Sequence, residues 1–600
     1  MRVCHMGLCL MLIFVIPHER WLLEDWRAFC EEGTVASRAP EPRFALRPDT
    51  TRLRRTIVIV STREDTAGVP SDVHSDASAA RFLRHRRRGL RVPRGGCGMA
   101  DEWLVGNAWA MALHWTLSAL IVVAGSFVAY LRSGQRVRHG VGFFHPFTSD
   151  GGGGERVLWC AIREVQTAHP LARCFVYSGD EATGAELALR AERRFGIKLV
   201  RPIEVVRLTR RALVVPERYP VLTMVGQAVG SAILTAEAVT ARRPEVFFDT
   251  VGYAFGYPVA RLAGAKVAAY VHYPTISADM IGRVKSRANM YNNAGAVARS
   301  RALTALKVWY YRAFALAYGA CGRCASAVAV NSTWTQGHVR ALWGGDPEVV
   351  YPPCDTAALR DLPLDRGAGT NLESREGQRK RRDDKREDAH EDDAGAYVLS
   401  VGQFRPEKDH ALQLRAWAAA RGVDAGKKEK NAEAEGVLKA RLKIVGGCRG
   451  PADEARLEAL RALAVELGVD DSVDFHVDVP YPRLLQLLAG AAAGLHTMLD
   501  EHFGICVVEF MAAGAVPIAH DSAGPKLDIV RPANDDDGAV GYLATTDEEF
   551  AASMTKVLGM TAVARDAMAR RARKRSEMFS EEAFGIGLRR ALSPVLTAAS

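Results

Sequence analysis

Eleven cysteines in 600 residues leave little room for metal or disulfide chemistry. Only Cys321 and Cys324, in CGRC, have CxxC spacing, and no second pair completes a zinc site. They lie between an aromatic helical stretch and the strand-like ASAVAVN, a poor setting for a thioredoxin-like motif, so they read as reduced, structural, cytosol-facing thiols. A nucleic-acid signature is missing as well. Lys and Arg outnumber Asp and Glu to give a net charge of +10, yet many of the basic residues sit in residues 1–98, around Arg81 to Arg94, with no zinc-finger or RNA-binding motif. Nucleic acid is therefore not an expected partner. The run Gly151 to Gly154 is no dinucleotide fingerprint, because the third glycine of GxGxxG falls on Arg156. It is no P-loop either, since no Gly-Lys-Ser/Thr follows. The acidic NDDDG, Asn534 to Gly538, reads as a surface turn, and no metal is expected.

The chain is too long for one core, so two large domains with additions are expected. From Trp103 to Leu131 no residue carries a fixed charge. That stretch is long enough for a membrane span, with tryptophans at one end for the interface. Arg132, Arg136 and Arg138 follow and place everything after them in the cytosol. Residues 1–98 mix Arg, Pro and Gly without periodicity and vote for the opposite orientation. A chain read from Met99 begins MADEWLVG, acidic before the span and basic after it, so residues 1–98 are expected to be a disordered or artefactual extension.

Beyond the span, GVGFFHPF (140–147) reads as a buried strand and TSDGGGG as a loop. A helix starting near Glu155 follows, then the strand RCFVYSG: a βαβ unit with a glycine-rich first turn, and hence a parallel sheet. EVFFDT, KVAAYVHYP and SAVAVNS continue it, and Asn331 and Ser332 are good caps for the helix TWTQGHVRALW. A second series runs through YVLSVGQF, ARLKIVGG, VDFHVDV, GLHTML and VPIAHD. The expected architecture is α/β: two domains facing one another across a cleft, spanning 138–355 and 396–592. A solvated charged linker covers 356–395, the anchor 103–131, and a charged surface loop Gly426 to Gly436. Tyr219 to Ala236 reads as a core or membrane-leaning helix, because a span there would put two strands of one sheet on opposite sides. Ala305 to Tyr318 mixes Lys, Arg, Trp and Tyr, which suits a bilayer interface or a core.

The chemistry concentrates in three stretches. Gly152, Gly153 and Gly154 let backbone approach a ligand closely, and the following helix offers free N–H groups to an anion. In VGQFRPEKDH, Arg405 and Lys408 emerge where a strand ends, which suits a diphosphate. In LDEHFGICVVEF, a helix beginning at Gly504 turns its N–H groups toward the same diphosphate, with Glu501 on the loop and Glu509 inside the helix. A carboxylate accepts two hydroxyl hydrogens well, so Glu509 suits a ribose and Glu501 a sugar. Helix-terminus charges would account for Glu501 but not for an acid inside an apolar strip. A sugar nucleotide is the ligand these residues favour.

The E-x7-E pattern of EHFGICVVE, with GQFRPEK before it, resembles glycosyltransferase family 4, which implies two facing Rossmann-like domains (the GT-B fold). FFHP, GGGGERVLWCAI, DTVGYAFGYP, VHYPTIS, NSTWT, YPPCD and AHDSAGPKLDIV extend the resemblance over about Trp103 to Leu592. Together they are similar to the GDP-mannose-dependent α-1,2-mannosyltransferases of lipid-linked oligosaccharide assembly. The resemblance implies a retaining transfer from GDP-mannose to dolichol-diphosphate-linked Man3GlcNAc2, adding the fourth and fifth mannoses of the N-glycan precursor at the cytosolic face of the endoplasmic reticulum. It further implies that Arg405 and Lys408 neutralise the diphosphate, that Glu501 holds mannose and Glu509 ribose, and that His272 of VHYP lies beside sugar and acceptor. Gly152 to Gly154 would approach phosphates, and Phe503 and Gly504 would belong to the substrate site. No cofactor is implied; the partners are GDP-mannose, the dolichol-linked oligosaccharide, membrane lipid and other mannosyltransferases of the pathway. A sugar-nucleotide epimerase or hydrolase would need no anchor, and a non-catalytic scaffold would not need Arg405, Lys408 and Glu501, all present here.

Overall fold

The computed structural model describes residues 98–149, 151–285, 301–362, 364, 395–422, 432–530 and 538–596. The basic extension up to residue 97, residues 365–394 of the charged linker, the Gly426 to Gly436 insert up to residue 431 and NDDDG up to residue 537 lie outside them. Helix α1 (Gly98–Leu131) begins before the expected span. Its segment Trp109–Leu131 is long and apolar enough to cross a membrane, with Trp109, Trp115, Ile121 and Val122 exposed. Its last residue, Leu131, is fully buried in the core of the first half.

Seven parallel strands build the first half: β1 (Gly140–Phe144), β2 (Arg173–Ser178), β3 (Glu204–Arg207), β4 (Val246–Asp249), β5 (Lys266–Val271), β6 (Ala327–Val330) and β7 (Glu348–Val349). Their order is β3-β2-β1-β4-β5-β6-β7. Six parallel strands build the second: β8 (Tyr397–Val401), β9 (Arg441–Gly446), β10 (Val473–Val477), β11 (Ala493–His496), β12 (Val516–His520) and β13 (Tyr542–Ala544), ordered β10-β9-β8-β11-β12-β13. The central strands are buried along their length, as apolar runs covered on both faces must be. Strand order reverses between β1 and β4 and between β8 and β11. In open α/β sheets the crevice for a ligand lies at the carboxyl ends of such a pair.

The helices that matter for the site are α2 (Gly153–Ala168), α3 (Thr223–Ala241), α4 (Arg301–Gly322), α5 (Thr333–Trp343), α6 (His410–Ala420), α7 (Ile505–Ala513) and α8 (Glu581–Leu592). Trp159 and Ile162 of α2 pack under the first sheet with Phe143 and Phe248. Burying each such side chain is worth roughly 1.5–3 kcal/mol. Of the two readings left open for Tyr219 to Ala236, burial favours the core: α3 sets Ala228, Ala232, Leu234 and Ala238 against the sheet. Helix α4 is two-sided, with Phe314 and Tyr318 buried while Leu306 and Trp309 are 61% and 67% exposed.

The first-half helix starts at Gly153, near Glu155 as expected, but one boundary shifts. The span expected for the second half runs to Leu592, yet α8 packs Phe584, Leu588, Ala591 and Leu592 into the core of the first half. Glu581 at its start holds Arg156 at 2.6 Å and Arg163 at 2.8 Å. The apolar face of α8 has its matching surface on α2, so the chain crosses back to bury it.

Candidate active site

The loop after β8 carries the two cations. Its polypeptide turns through Pro406–Lys408, and Asp409 enters the left-handed region (φ 44°) to cap α6, accepting the Leu412 N–H at 3.2 Å. Lys408 is anchored twice. Its carbonyl accepts from Thr497 Oγ1 at 2.9 Å, and its Nζ donates to Glu501 Oε2 at 2.8 Å. Glu501 lies on the loop after β11, as expected, with His496 Nε2 at 3.2 Å from the same carboxylate oxygen. Burial alone would raise the Glu501 pKa, but His496 and Lys408 outweigh it and hold the carboxylate well below its usual range. Burial opposes charge on His496 too. The Cys506 sulfur at 3.5 Å and Glu501 reverse the sign and hold its pKa above that of an ordinary histidine. The result is a buried carboxylate between two cations.

The Glu501 loop is tightly built. Asp500 (φ 54°) donates its N–H to Ser522 Oγ at 2.8 Å, and the Gly524 N–H donates to the Glu501 carbonyl at 3.0 Å. A Cβ on Gly524 would lie 2.6 Å from the Phe503 Cα, so only glycine permits this approach. Gly504 (φ 98°) is the N-cap of α7, which places the free N–H groups of that helix beside Glu501. Phe503 does otherwise than expected. Its ring is 3% exposed and packs on Tyr351 and Phe579, so it holds the loop from below and only its backbone is left for a ligand.

Glu509 lies within α7, at the fifth helical residue. It makes no hydrogen bond or ion pair among the described residues. Burial raises its pKa to about 7, against the attraction of Arg156. Arg405 is likewise half-buried and without an ion pair among the described residues. The sequence-expected residues thus divide: Lys408 and Glu501 meet, whereas Arg405 and Glu509 are left with free polar groups.

Across from them, in the first half, Gly152 caps α2. The Gly151 N–H is already taken by Glu155 Oε2 at 2.6 Å. A Cβ on Gly152 or Gly153 would meet nothing within 4 Å, and one on Gly154 would lie 3.5 Å from His272 Nε2. The glycine turn and His272 therefore share one open face. The His272 ring, past the end of β5, is pushed down to about 4 by burial and is neutral. Its Nε2 lies 3.2 Å from the Thr250 carbonyl. A carbonyl only accepts, so the proton sits on Nε2 and Nδ1 is left as an acceptor.

Several site residues escaped sequence reasoning. His145 Nδ1 lies 2.8 Å from Thr250 Oγ1, its pKa lowered to about 3, chiefly by burial. Asp528 accepts the Thr333 N–H at 3.0 Å and the Tyr351 hydroxyl at 2.9 Å, joining the two halves at the start of α5. His496 and Arg156 were passed over too. Arg156 lies inside a motif that resembles the family and His496 in a stretch read only as a strand; nothing in local spacing marks either. Among the described residues no three His, Cys, Asp or Glu side chains converge as metal ligands. Cys321 and Cys324 are free thiols.

Two parallel α/β halves, with a glycine turn and a neutral histidine at the strand ends of the first and cations and a carboxylate at those of the second, define a GT-B glycosyltransferase. Residues 381–575 match the model for "Glycosyl transferases group 1" and residues 138–343 that for "ALG11 mannosyltransferase N-terminus". A Candida albicans structure, "trehalose-6-phosphate phosphatase N-terminal domain", shares the fold at TM-score 0.51 and 10% identity, covering 78% of this chain and 98% of that one. The relative from Mus musculus named "GDP-Man:Man(3)GlcNAc(2)-PP-Dol alpha-1,2-mannosyltransferase" is 40% identical over 84% of this chain and 94% of its own. The Homo sapiens relative of the same name is 41% identical, over 74% and 85%. The chain belongs to this α-1,2-mannosyltransferase family.

Proposed function

We propose that the chain transfers mannose from GDP-mannose, with retention, to dolichol-diphosphate-linked Man3GlcNAc2 and then to the product, adding the fourth and fifth mannoses. The observation that carries this reading is the buried Lys408–Glu501–His496 cluster, set beside the N-terminus of α7. In the reaction the mannose C1–O bond to the diphosphate breaks. A bond from C1 to the acceptor hydroxyl oxygen forms, and the hydroxyl proton passes to the departing diphosphate.

Charge develops on the leaving oxygen, and Lys408, Arg405 and the α7 N–H groups supply the compensation. The Lys408 ammonium has three hydrogens; with one on Glu501 and one on the Met498 sulfur at 3.2 Å, one is left for phosphate. Glu501, kept ionised by its two cations, accepts from mannose hydroxyls. Glu509, without a protein partner, accepts from the ribose. Neutral His272, with its Nε2 edge nearest Gly154, stands beside the open face at Gly152 to Gly154 where the acceptor lies, and takes no proton from it. No metal is required for this charge balance. The exposed segment Trp109–Leu131 anchors the chain in the membrane of the endoplasmic reticulum with the catalytic halves cytosolic, among the other mannosyltransferases that build the same lipid-linked glycan. The apolar side of α4, with Trp309 and Leu306 exposed, suits contact with the same lipid.

The test is incubation of membranes containing the chain with labelled GDP-mannose and defined lipid-linked Man3GlcNAc2. Two α-1,2-mannoses should be added, with α-configuration. Release of free mannose without extension of the lipid acceptor would instead favour a hydrolase.

A further inference from the structure

Three aromatic rings from three separate segments lie nearly parallel at the junction of the halves. The His502 ring stacks on Tyr273, with centroids 3.9 Å apart and planes at 14°. It lies 5.6 Å from Trp334 at 15°, and Tyr273 and Trp334 are 5.8 Å apart at 7°. Each ring has a fixed base. His502 follows Glu501 on the loop pinned by Ser522 and Gly524. Tyr273 follows His272. Trp334 stands in the first turn of α5, where Asp528 of the second half accepts the Thr333 N–H. Its ring also meets the His338 ring edge-on at 4.2 Å, and His338 Nε2 lies 3.2 Å from Asp279.

The positions are what make the stack informative. One ring is the immediate successor of the acceptor-side His272, another the immediate successor of the donor-side Glu501. We infer that His502 is a positioning residue: by stacking on Tyr273 and Trp334 it fixes the separation between Glu501 and His272 when the halves are together. The proposal rests on the reading that Glu501 faces the donor sugar. A parallel stack suits a neutral ring, and burial keeps His502 neutral, its pKa lowered to about 4. The function of the ring here is planar contact. A role in planar contact needs no polar atom, so a planar hydrocarbon ring should replace it.

The experiment uses the full chain in membranes, with His502→Ala, His502→Phe, Trp334→Ala and the double variant His502→Ala/Trp334→Ala. The readouts are kcat and KM for the lipid acceptor, and GDP-mannose affinity by displacement of labelled donor. His502→Ala should lower kcat about tenfold, leave donor affinity within about twofold, and be rescued by His502→Phe. In the double variant the losses should fall short of their product by about two- to tenfold, the coupling expected of an aromatic pair. Independent losses, or a His502→Phe variant as slow as His502→Ala, would overturn the stack. Glu501→Gln is the control that separates the two layers. Normal transfer in that variant would overturn the proposal through the reading beneath it, whereas an inactive Glu501→Gln with independent His502 and Trp334 effects would overturn the stack alone.

Discussion

Glu509 is a carboxyl group placed where the empty protein disfavours its charge, and Glu509→Gln tests that directly. Its pKa rises from 4.5 to about 7 in the fold, because burial outweighs the attraction of Arg156. For an acid with a raised folded pKa, the folded state binds the extra proton between those two values. Stability therefore falls as pH rises from 4.5 to 7 and stays low above. At about 1.4 kcal/mol per pH unit the ionised group costs the empty fold about 3 kcal/mol, an upper bound since the side chain is only half-buried. Glutamine keeps the shape and has no charge to desolvate. The variant should melt at the same temperature as the parent near pH 4.5 and several degrees higher at pH 8. It should also bind GDP-mannose less tightly, by about 2 kcal/mol or some thirtyfold, because hydroxyl donors lose a charged acceptor. Thermal unfolding of the full chain in detergent across pH, with donor titration alongside, gives both numbers. A variant no more stable than the parent at pH 8, or one that binds donor normally, would refute the argument.

Lys408→Ala and Arg405→Ala should each reduce kcat/KM for transfer about a hundredfold, or about 3 kcal/mol. Only Lys408→Ala should also destabilise the fold, by about 1–3 kcal/mol, because it removes one of the two cations beside the buried Glu501 carboxylate and leaves His496 alone to pair it; equal melting of the two variants would argue against the pairing. Glu501→Gln should slow transfer while leaving donor binding largely intact, so a loss of binding alone would remove the division of roles between the two glutamates. Gly152→Val and Gly153→Val should fold normally, since nothing stands within 4 Å of either Cβ, yet lose activity as the side chain fills the ligand's approach; normal rates would detach this turn from the site. In sealed microsomes, added protease should digest the catalytic halves. Asn331, in an NST sequon, is a poor glycan reporter of orientation, because the folded chain leaves it only 4% exposed.

Local chemistry made much of this protein legible in one dimension. Apolar runs long enough for strands buried on both faces marked β1, β4, β5, β8, β9, β11 and β12. Gly504 before an apolar helix, and Arg405 and Lys408 after a strand, marked a candidate anion site, because such groups act through backbone geometry and charge that neighbours in sequence already fix. The short strands β3, β7 and β13 went unseen. They are sheet edges with one partner each, and residues such as Glu204 and Arg207 carry no apolar signature.

What only the tertiary structure decided are the contacts between distant segments. That Lys408 spends a hydrogen on Glu501, that His496 joins them, that Phe503 turns into the core and that α8 crosses back to the first half all depend on surfaces tens to hundreds of residues apart. Glu509 shows the difference most clearly. Its place in an apolar helix could be read directly, but the sign and size of its pKa shift depend on burial and on Arg156, more than 300 residues upstream, and burial exists only once both halves have folded.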